Sequence, residues 1–207
     1  MSNSYSQLGQ DIYVLQKYQH KKNGFFVEVG ACDGIYLSNT YLLETQYDWK
    51  GICIEPIPHW FNECVKNRPN SICIQDAVYS ENDLTLEFNI ADSHVLSGIT
   101  AHVDKHVHSL NGGRKINVNT KTLTWILDAH NAPQFIEYLS LDTEGSEFEV
   151  LKGINFDKYK FGIIDIEHNY IEPRRTQMRE FLLLKNYIYV GQNDFDDRYE
   201  LKIEVTN

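Results

Sequence analysis

The chain has 207 residues and a formal net charge of -10, and 42% of it is hydrophobic, including 13 Tyr, 10 Phe and 3 Trp. That is enough for one domain with a full core, short for two, and globular rather than disordered in composition. The acidic balance, with a pI near 5.2, argues against a nucleic-acid partner, because neutralising phosphates needs a basic surface.

Met1–Gln10 is polar and lacks the apolar centre of a signal peptide, and no apolar run reaches the length of a membrane span. Cys32, Cys53, Cys64 and Cys73 form no C-x-x-C pair, so they read as buried free thiols rather than zinc ligands. The expectation is a soluble, cytoplasmic protein in a reducing compartment.

With no linker, repeat or low-complexity tract, residues 1–207 read as a single domain. Phe25–Gly30 predicts a strand ended by a glycine loop. Ser38–Gln46 predicts a helix capped by Ser38 or Asn39. Gly51–Glu55 predicts a strand stopped by Pro56 and Pro58, Pro58–Arg68 a helix with Pro in its first turn, and Ser71–Asp76 a third strand. Residues 77–121 break the rhythm: a strand at Leu84–Ile90, then a His-, Ser- and Gly-rich stretch through Gly113. Insertions of this size are usually lids or binding loops, and this one is expected to shape the acceptor pocket. The alternation then resumes with a helix at Thr122–Ala129, a strand at Phe135–Leu141, a helix from Ser146 to Leu151, a strand at Phe161–Ile166 and a helix at Arg174–Asn186. Strands at Tyr187–Val190 and Tyr199–Val205, joined by a polar turn Gly191–Arg198, close the chain. The pattern predicts an α/β, Rossmann-like fold: a mostly parallel sheet with helices on both faces and a C-terminal antiparallel hairpin.

In such sheets ligands bind beyond the carboxyl ends of the strands. The first predicted strand runs into Glu28-Val29-Gly30-Ala31-Cys32-Asp33-Gly34, an E-x-G-x-x-x-G loop. A nicotinamide dinucleotide needs G-x-G-x-x-G, whose middle glycine lets the pyrophosphate approach; here Cys32 stands there. S-adenosylmethionine has no pyrophosphate and no such need. Glu28 is placed to accept from its amino group, Glu55 to bond both ribose hydroxyls, and Asp76 to accept from the adenine amino group.

The sequence resembles the FkbM-type methyltransferases, which are class I and S-adenosylmethionine-dependent. The resemblance is carried by Ser6-Gln7-Leu8-Gly9-Gln10-Asp11, Phe26–Gly34 with Ser38-Asn39-Thr40, Trp49–Pro56, Leu96-Ser97-Gly98-Ile99 and, most specifically, Leu141-Asp142-Thr143-Glu144-Gly145-Ser146-Glu147 leading to Val150–Gly153. It implies a seven-stranded sheet and donor contacts from Glu28, Gly30, Glu55, Asp76 and Asp142, completed by Gln10, Ala31, Asp33, Asn39, Pro56 and Ala77. It also implies that the S-Q-x-G-Q-D segment and Asn39 lie over the methionine end. Family members commonly methylate hydroxyls of sugars and other metabolites, so a small-molecule or glycan acceptor is expected.

A sugar hydroxyl is a poor nucleophile and needs a general base or a metal ion. The catalytic candidates are His168, Asp142 and Glu144. In one scheme Asp142, Glu167 and His168 converge on Mg²⁺ or Mn²⁺; in the other His168 is a metal-free base. Glu147 reads as a helix-N-terminal acid complementing the dipole. His94, His102, His106 and His108 read as surface or acceptor-loop histidines, without the glutamate of an H-E-x-x-H zinc motif. The competing functions are a protein or small-molecule N-methyltransferase, a catalytically silent binding module, and a nicotinamide-dependent oxidoreductase. No Asn/Asp-Pro-Pro-aromatic tetrapeptide of the kind that serves base amino groups occurs.

Overall fold

The protein is described by a computed structural model over residues 4–91, 96–102 and 113–203. Its first half contains α1 (Gln10–Lys17), β1 (Phe25–Val29), α2 (Tyr41–Tyr47), β2 (Lys50–Ile54), α3 (Pro58–Asn67) and β3 (Ile72–Ile74). Next come four strands, β4 (Ala77–Val78), β5 (Thr85–Ile90), β6 (Gly98–Ile99) and β7 (Arg114–Lys121). The second half contains α4 (Leu123–Ala129), β8 (Phe135–Leu141), α5 (Glu147–Lys152), β9 (Lys160–Glu167), α6 (Arg174–Leu184), β10 (Tyr187–Asn193) and β11 (Asp196–Leu201).

Seven strands form one sheet in the order β10-β11-β9-β8-β1-β2-β3. β1, β2, β3, β8 and β9 pair in parallel, and β11 joins β9 antiparallel. The order reverses at β1, which leaves a crevice over the ends of β1 and β8. Because these central strands are covered on both sides, they read as continuous apolar runs rather than alternating ones. On one face Ile126, Leu151 and Leu182 of α4, α5 and α6 pack over Val27, Leu139 and Ile164. On the other, Leu15, Leu42 and Cys64 of α1, α2 and α3 pack over Phe26, Cys53 and Tyr138. Each fully buried aliphatic or aromatic side chain stabilises this sandwich by about 1.5–3 kcal/mol.

One buried cation ties the second face to the glycine loop. Arg68, at the end of α3, is 1% exposed. Its Nε donates to Glu44 Oε2 at 2.6 Å and its Nη2 to Thr40 Oγ1 at 2.8 Å. Its Nη1 lies 3.2 Å from each of Glu28 Oε2, the Gly34 carbonyl and Ser38 Oγ.

Four local expectations are corrected. Gln10–Lys17, where no element was expected, is helical, its Val14 and Leu15 buried against α2 and the sheet. The 77–121 segment holds more than the one expected strand: β4, β5, β6 and β7 make a second sheet in the order β4-β7-β5-β6. β7 (RKINVNTK) escaped notice because its inward apolar positions are few among polar ones. The C-terminal turn is only Asp194–Phe195, not Gly191–Arg198, because Asp196, Asp197 and Arg198 are buried in the strand. Composition suggested a solvated turn, but each of these charges has a partner inside the fold. The predicted strand's last residue, Val205, lies outside the described residues. Helix α2 starts at Tyr41 rather than Ser38; Ser38 Oγ instead accepts from the Thr40 and Tyr41 amides. Among the described residues no helix is long and apolar enough to cross a membrane.

Replacing Arg68 by Ala should cost about 3–5 kcal/mol, since it leaves Glu28 and Glu44 buried without their cation. Urea unfolding at pH 7 measures this, and a loss below about 1 kcal/mol would remove Arg68 from its central place.

Candidate active site

A cavity of about 270 Å³ opens over the carboxyl ends of β1, β2, β8 and β9. Its floor is set by a contact between two strands. Gly30 has φ 87°, and a Cβ there would lie 1.9 Å from the Asp142 carbonyl oxygen. Its amide donates to the Ile54 carbonyl at 3.0 Å, and the Asp142 amide to the Val29 carbonyl at 3.1 Å. Only glycine fits both the left-handed backbone and the approach.

Glu28 borders the cavity, but its carboxylate is engaged by Ser38 Oγ, the Asn39 amide at 2.7 Å, Thr40 Oγ1 at 2.6 Å and Arg68. It anchors the start of α2 and thereby Asn39, whose Nδ2 donates to Ser140 Oγ at 2.8 Å. Glu55 is 5% exposed, with one oxygen accepting from the Cys32 amide at 3.0 Å and the other from Ile57 at 2.8 Å. Burial pushes its carboxyl up to about 7 against those two bonds. Asp76 is half-buried in the same wall, its pKa also raised by burial. Gln10, Ala31, Asn39, Pro56 and Ala77 line the cavity too. Asp33 does not; its Oδ1 accepts from the Ile35 and Tyr36 amides at 2.8 Å and holds the turn.

The far end of the cavity is acidic. Asp142, Glu144 and Glu167 each offer an oxygen, and these lie within 4.8 Å of one another. Burial and the charge of Glu147 push Asp142 up to about 7. Glu167 is raised by burial and by Asp142 and Glu144, and its Oε2 has no hydrogen-bond partner. Asp196, opposite Glu167 in the β9–β11 register, accepts from Gln10 Nε2 at 2.7 Å and is raised to about 8 by burial and Asp142. Glu144 sits at φ 56° in a turn braced by Glu147, whose Oε1 accepts from the Thr143 amide at 2.9 Å and the Gly145 amide at 3.0 Å. Glu147 therefore holds the turn that presents Glu144 as well as standing at the start of α5.

The set Asp142, Glu167 and His168 is not brought together. Strand parity turns Asp165 and Glu167 to the cavity and sends His168 to the α6 side, where its Nδ1 accepts from the Tyr170 amide at 2.9 Å. Its Nε2 lies 3.5 Å from Asp197, the partner of Arg175 and Arg179. His168 therefore does not reach the cavity either as ligand or as base, and Glu144 takes its place beside Asp142 and Glu167. His102 pairs with Tyr79 Oη at 2.8 Å; His94, His106 and His108 lie outside the described residues. The sequence reading missed Asp196, mistaken for turn, and the cavity-lining Phe88 and Ser140. For Asp196 the residues around it, Phe195 to Leu201, carry no strand signal of their own, four of the seven being charged.

A family model described as the methyltransferase FkbM domain matches residues 28–189. No curated protein matches the sequence at a significant level. Among solved structures, the chain is similar to a putative rRNA methylase from Clostridium thermocellum, with TM-score 0.52, 10% identity and 99% of each chain covered. It is also similar to precorrin-6y C5,15-methyltransferase from Geobacter metallireducens GS-15, with TM-score 0.51, 11% identity, and 93% of this chain and 87% of that one covered. A putative RNA methyltransferase from Pyrococcus horikoshii gives TM-score 0.50 and 8% identity, covering 96% and 83%. At these identities the likenesses show the fold, a Rossmann-like methyltransferase fold.

Carboxyls raised in the folded state bind more protons than they do unfolded, so stability falls as pH rises between the two pKa values. With Glu55 and Asp142 at about 7 and Asp196 at about 8, the ligand-free protein should lose stability from pH 5 to pH 8, each group taken alone contributing on the order of 2–3 kcal/mol. Urea titrations across that range should show the fall, and Asp196→Asn should flatten it; an unchanged slope in the variant would remove Asp196 from the cause.

Proposed function

The chain belongs to the FkbM methyltransferase family and is an S-adenosylmethionine-dependent methyltransferase, and from that premise we propose that it methylates a hydroxyl oxygen of a sugar, glycan or other small polyhydroxy metabolite. The carrying observation is the carboxylate group Asp142, Glu144 and Glu167 within 4.8 Å at one end of the cavity. A hydroxyl must lose its proton as it attacks, and a carboxyl with a pKa near neutrality is matched to that task.

Asp76 takes the adenine amino group and Glu55 the ribose hydroxyls, at the end of the cavity bordered by Ile57 and Ala77. The methionine part lies along Gly30 toward Gln10 and Asn39. The acceptor sits against the acidic end, its oxygen in line with the methyl–sulfur bond. As the new C–O bond forms and the C–S bond breaks, the hydroxyl proton passes to the Asp142–Glu167 pair and S-adenosylhomocysteine leaves. Among the described lining residues there is no Lys, Arg or His. This wall supports an uncharged or cationic acceptor and disfavours phosphorylated ones, nucleic acid included. The free thiols at Cys32, Cys53, Cys64 and Cys73 suit a reducing, cytoplasmic setting.

A second reading, assistance by Mg²⁺ or Mn²⁺, is favoured by the same triad, because three hard oxygen donors and the unpartnered Glu167 Oε2 fit such an ion. Asp142, Glu144 and Glu167 would hold it, and the bound ion would lower the pKa of the acceptor hydroxyl.

Calorimetry with S-adenosylhomocysteine should give binding that Glu55→Ala weakens by at least about tenfold, the loss of a bidentate buried contact; no binding to the wild type would overturn the donor site. In a screen of sugars and polyols with isotope-labelled donor, Glu167→Gln should lower kcat about 10²-fold or more with donor affinity unchanged. Label recovered on nitrogen would overturn the O-methyltransferase reading, and turnover resistant to EDTA would eliminate the metal-assisted form.

A further inference from the structure

Beneath the glycine loop, away from the acidic end, three cysteines converge. Cys53 on β2 and Cys73 on β3 are register partners, and Cys64 on α3 places its sulfur 3.7 Å from that of Cys73. Cys64 is buried and Cys73 half-buried, so the second sulfur has a route to solvent. We propose that Cys64 and Cys73 are an oxidation-sensitive pair that closes to a disulfide and thereby weakens donor binding.

The two sulfurs are at van der Waals contact and already paired as weak donor and acceptor. Cys53 and Cys64 donate toward Cys73, and Arg68 adds positive charge; together they lower the Cys73 thiol pKa against its burial and favour the reactive thiolate. With hydrogen peroxide as oxidant, the Cys73 thiolate takes one oxygen to become a sulfenic acid and, with a proton, releases water. The Cys64 sulfur then attacks the Cys73 sulfur, its proton leaving with the hydroxyl as a second water. Two electrons leave the sulfur pair and one peroxide becomes two waters.

The link to the donor site is short. A disulfide brings the sulfurs to about 2.05 Å, so α3 and β3 must shift against each other. A Cβ on Gly34 would lie 3.1 Å from Cys64 Sγ and 2.7 Å from Arg68 Cγ, so the helix carrying Cys64 and Arg68 abuts the glycine loop directly. Arg68 in turn holds Glu28, Gly34 and Thr40. Moving the helix disturbs the frame that presents Gly30 and Asn39 to the donor.

The test treats the full-length protein with hydrogen peroxide, maps disulfides by mass spectrometry of non-reduced digests, and titrates S-adenosylhomocysteine before and after. A Cys64–Cys73 disulfide is expected, with at least a fivefold loss of affinity that dithiothreitol restores and that is absent in both Cys73→Ser and Cys64→Ala. A disulfide involving Cys53, or only sulfenic and sulfinic acid at Cys73, would overturn the pair. A Cys64–Cys73 disulfide that leaves affinity unchanged would overturn the coupling. The coupling rests on the donor-site reading; if the reduced protein fails to bind S-adenosylhomocysteine, that reading fails, while the disulfide map still decides the pair.

Discussion

The close pass of Gly30 over the Asp142 carbonyl is the constraint on which the site depends. With a prospective Cβ at 1.9 Å from that oxygen, the chain leaving β1 can turn only where it has no side chain, and it turns directly over the end of β8. That brings residues distant in sequence into one crevice: Glu55 from β2, Asp142 from β8 and Glu167 from β9. The turn is supported from below by Arg68, which binds Glu28, Glu44 and the Gly34 carbonyl. A buried arginine with two carboxylate partners is costly to desolvate, and its retention here fixes the angle between α3, α2 and the loop rather than maximising stability.

At the opposite end the electrostatics are reversed. Asp142, Glu167 and Asp196 lie at this end with no cation among the described lining residues; burial raises all three, helped by the charge of Glu147 at Asp142 and by that of Asp142 at Glu167 and Asp196. Such a cluster is destabilising when empty and favourable when a positive group enters, and the sulfonium of the donor is such a group. On the proposed reading, this unfavourable charge is concentrated where the methyl group would be delivered. A raised carboxyl is also the form of acid that can exchange a proton near neutral pH.

Much of this was legible in the residues. The central strands announced themselves as apolar runs bounded by Gly and Pro, and Phe135–Leu141 matches its predicted limits. Glu28, Glu55 and Asp76 stood out because acids at the ends of three successive strands are unusual. What stayed hidden was hidden for physical reasons. Asp196, Asp197 and Arg198 have the composition of a solvated turn, and only their partners Gln10, Arg175 and Asp165, far away in the chain, make burial tolerable. His168 was plausible by type and position, but the period of two along a strand decided against it. Glu167 and His168 are adjacent, so at a strand end still in register with β11 they must face opposite ways.

The inserted sheet shows how the two ends of the cavity are joined. Phe88 and Ile99 pack with Ile57 and Ala77, the neighbours of Glu55 and Asp76, so the insertion walls that end of the cavity. The same insertion reaches the acidic end, because a Cβ on Gly145 would lie 2.2 Å from the His102 carbonyl oxygen, on the turn that presents Glu144. Tyr79 fixes His102 in place through its hydroxyl. A segment that touches both the wall beside Glu55 and Asp76 and the turn beside the carboxylates physically links the two ends of the cavity. Glu144 at φ 56° and Gly145 at φ 125° make a turn that is not at its backbone minimum. It is held by Glu147 on one side and by the His102 carbonyl of the insertion on the other, so a shift of this part of the insertion would move Glu144 as well.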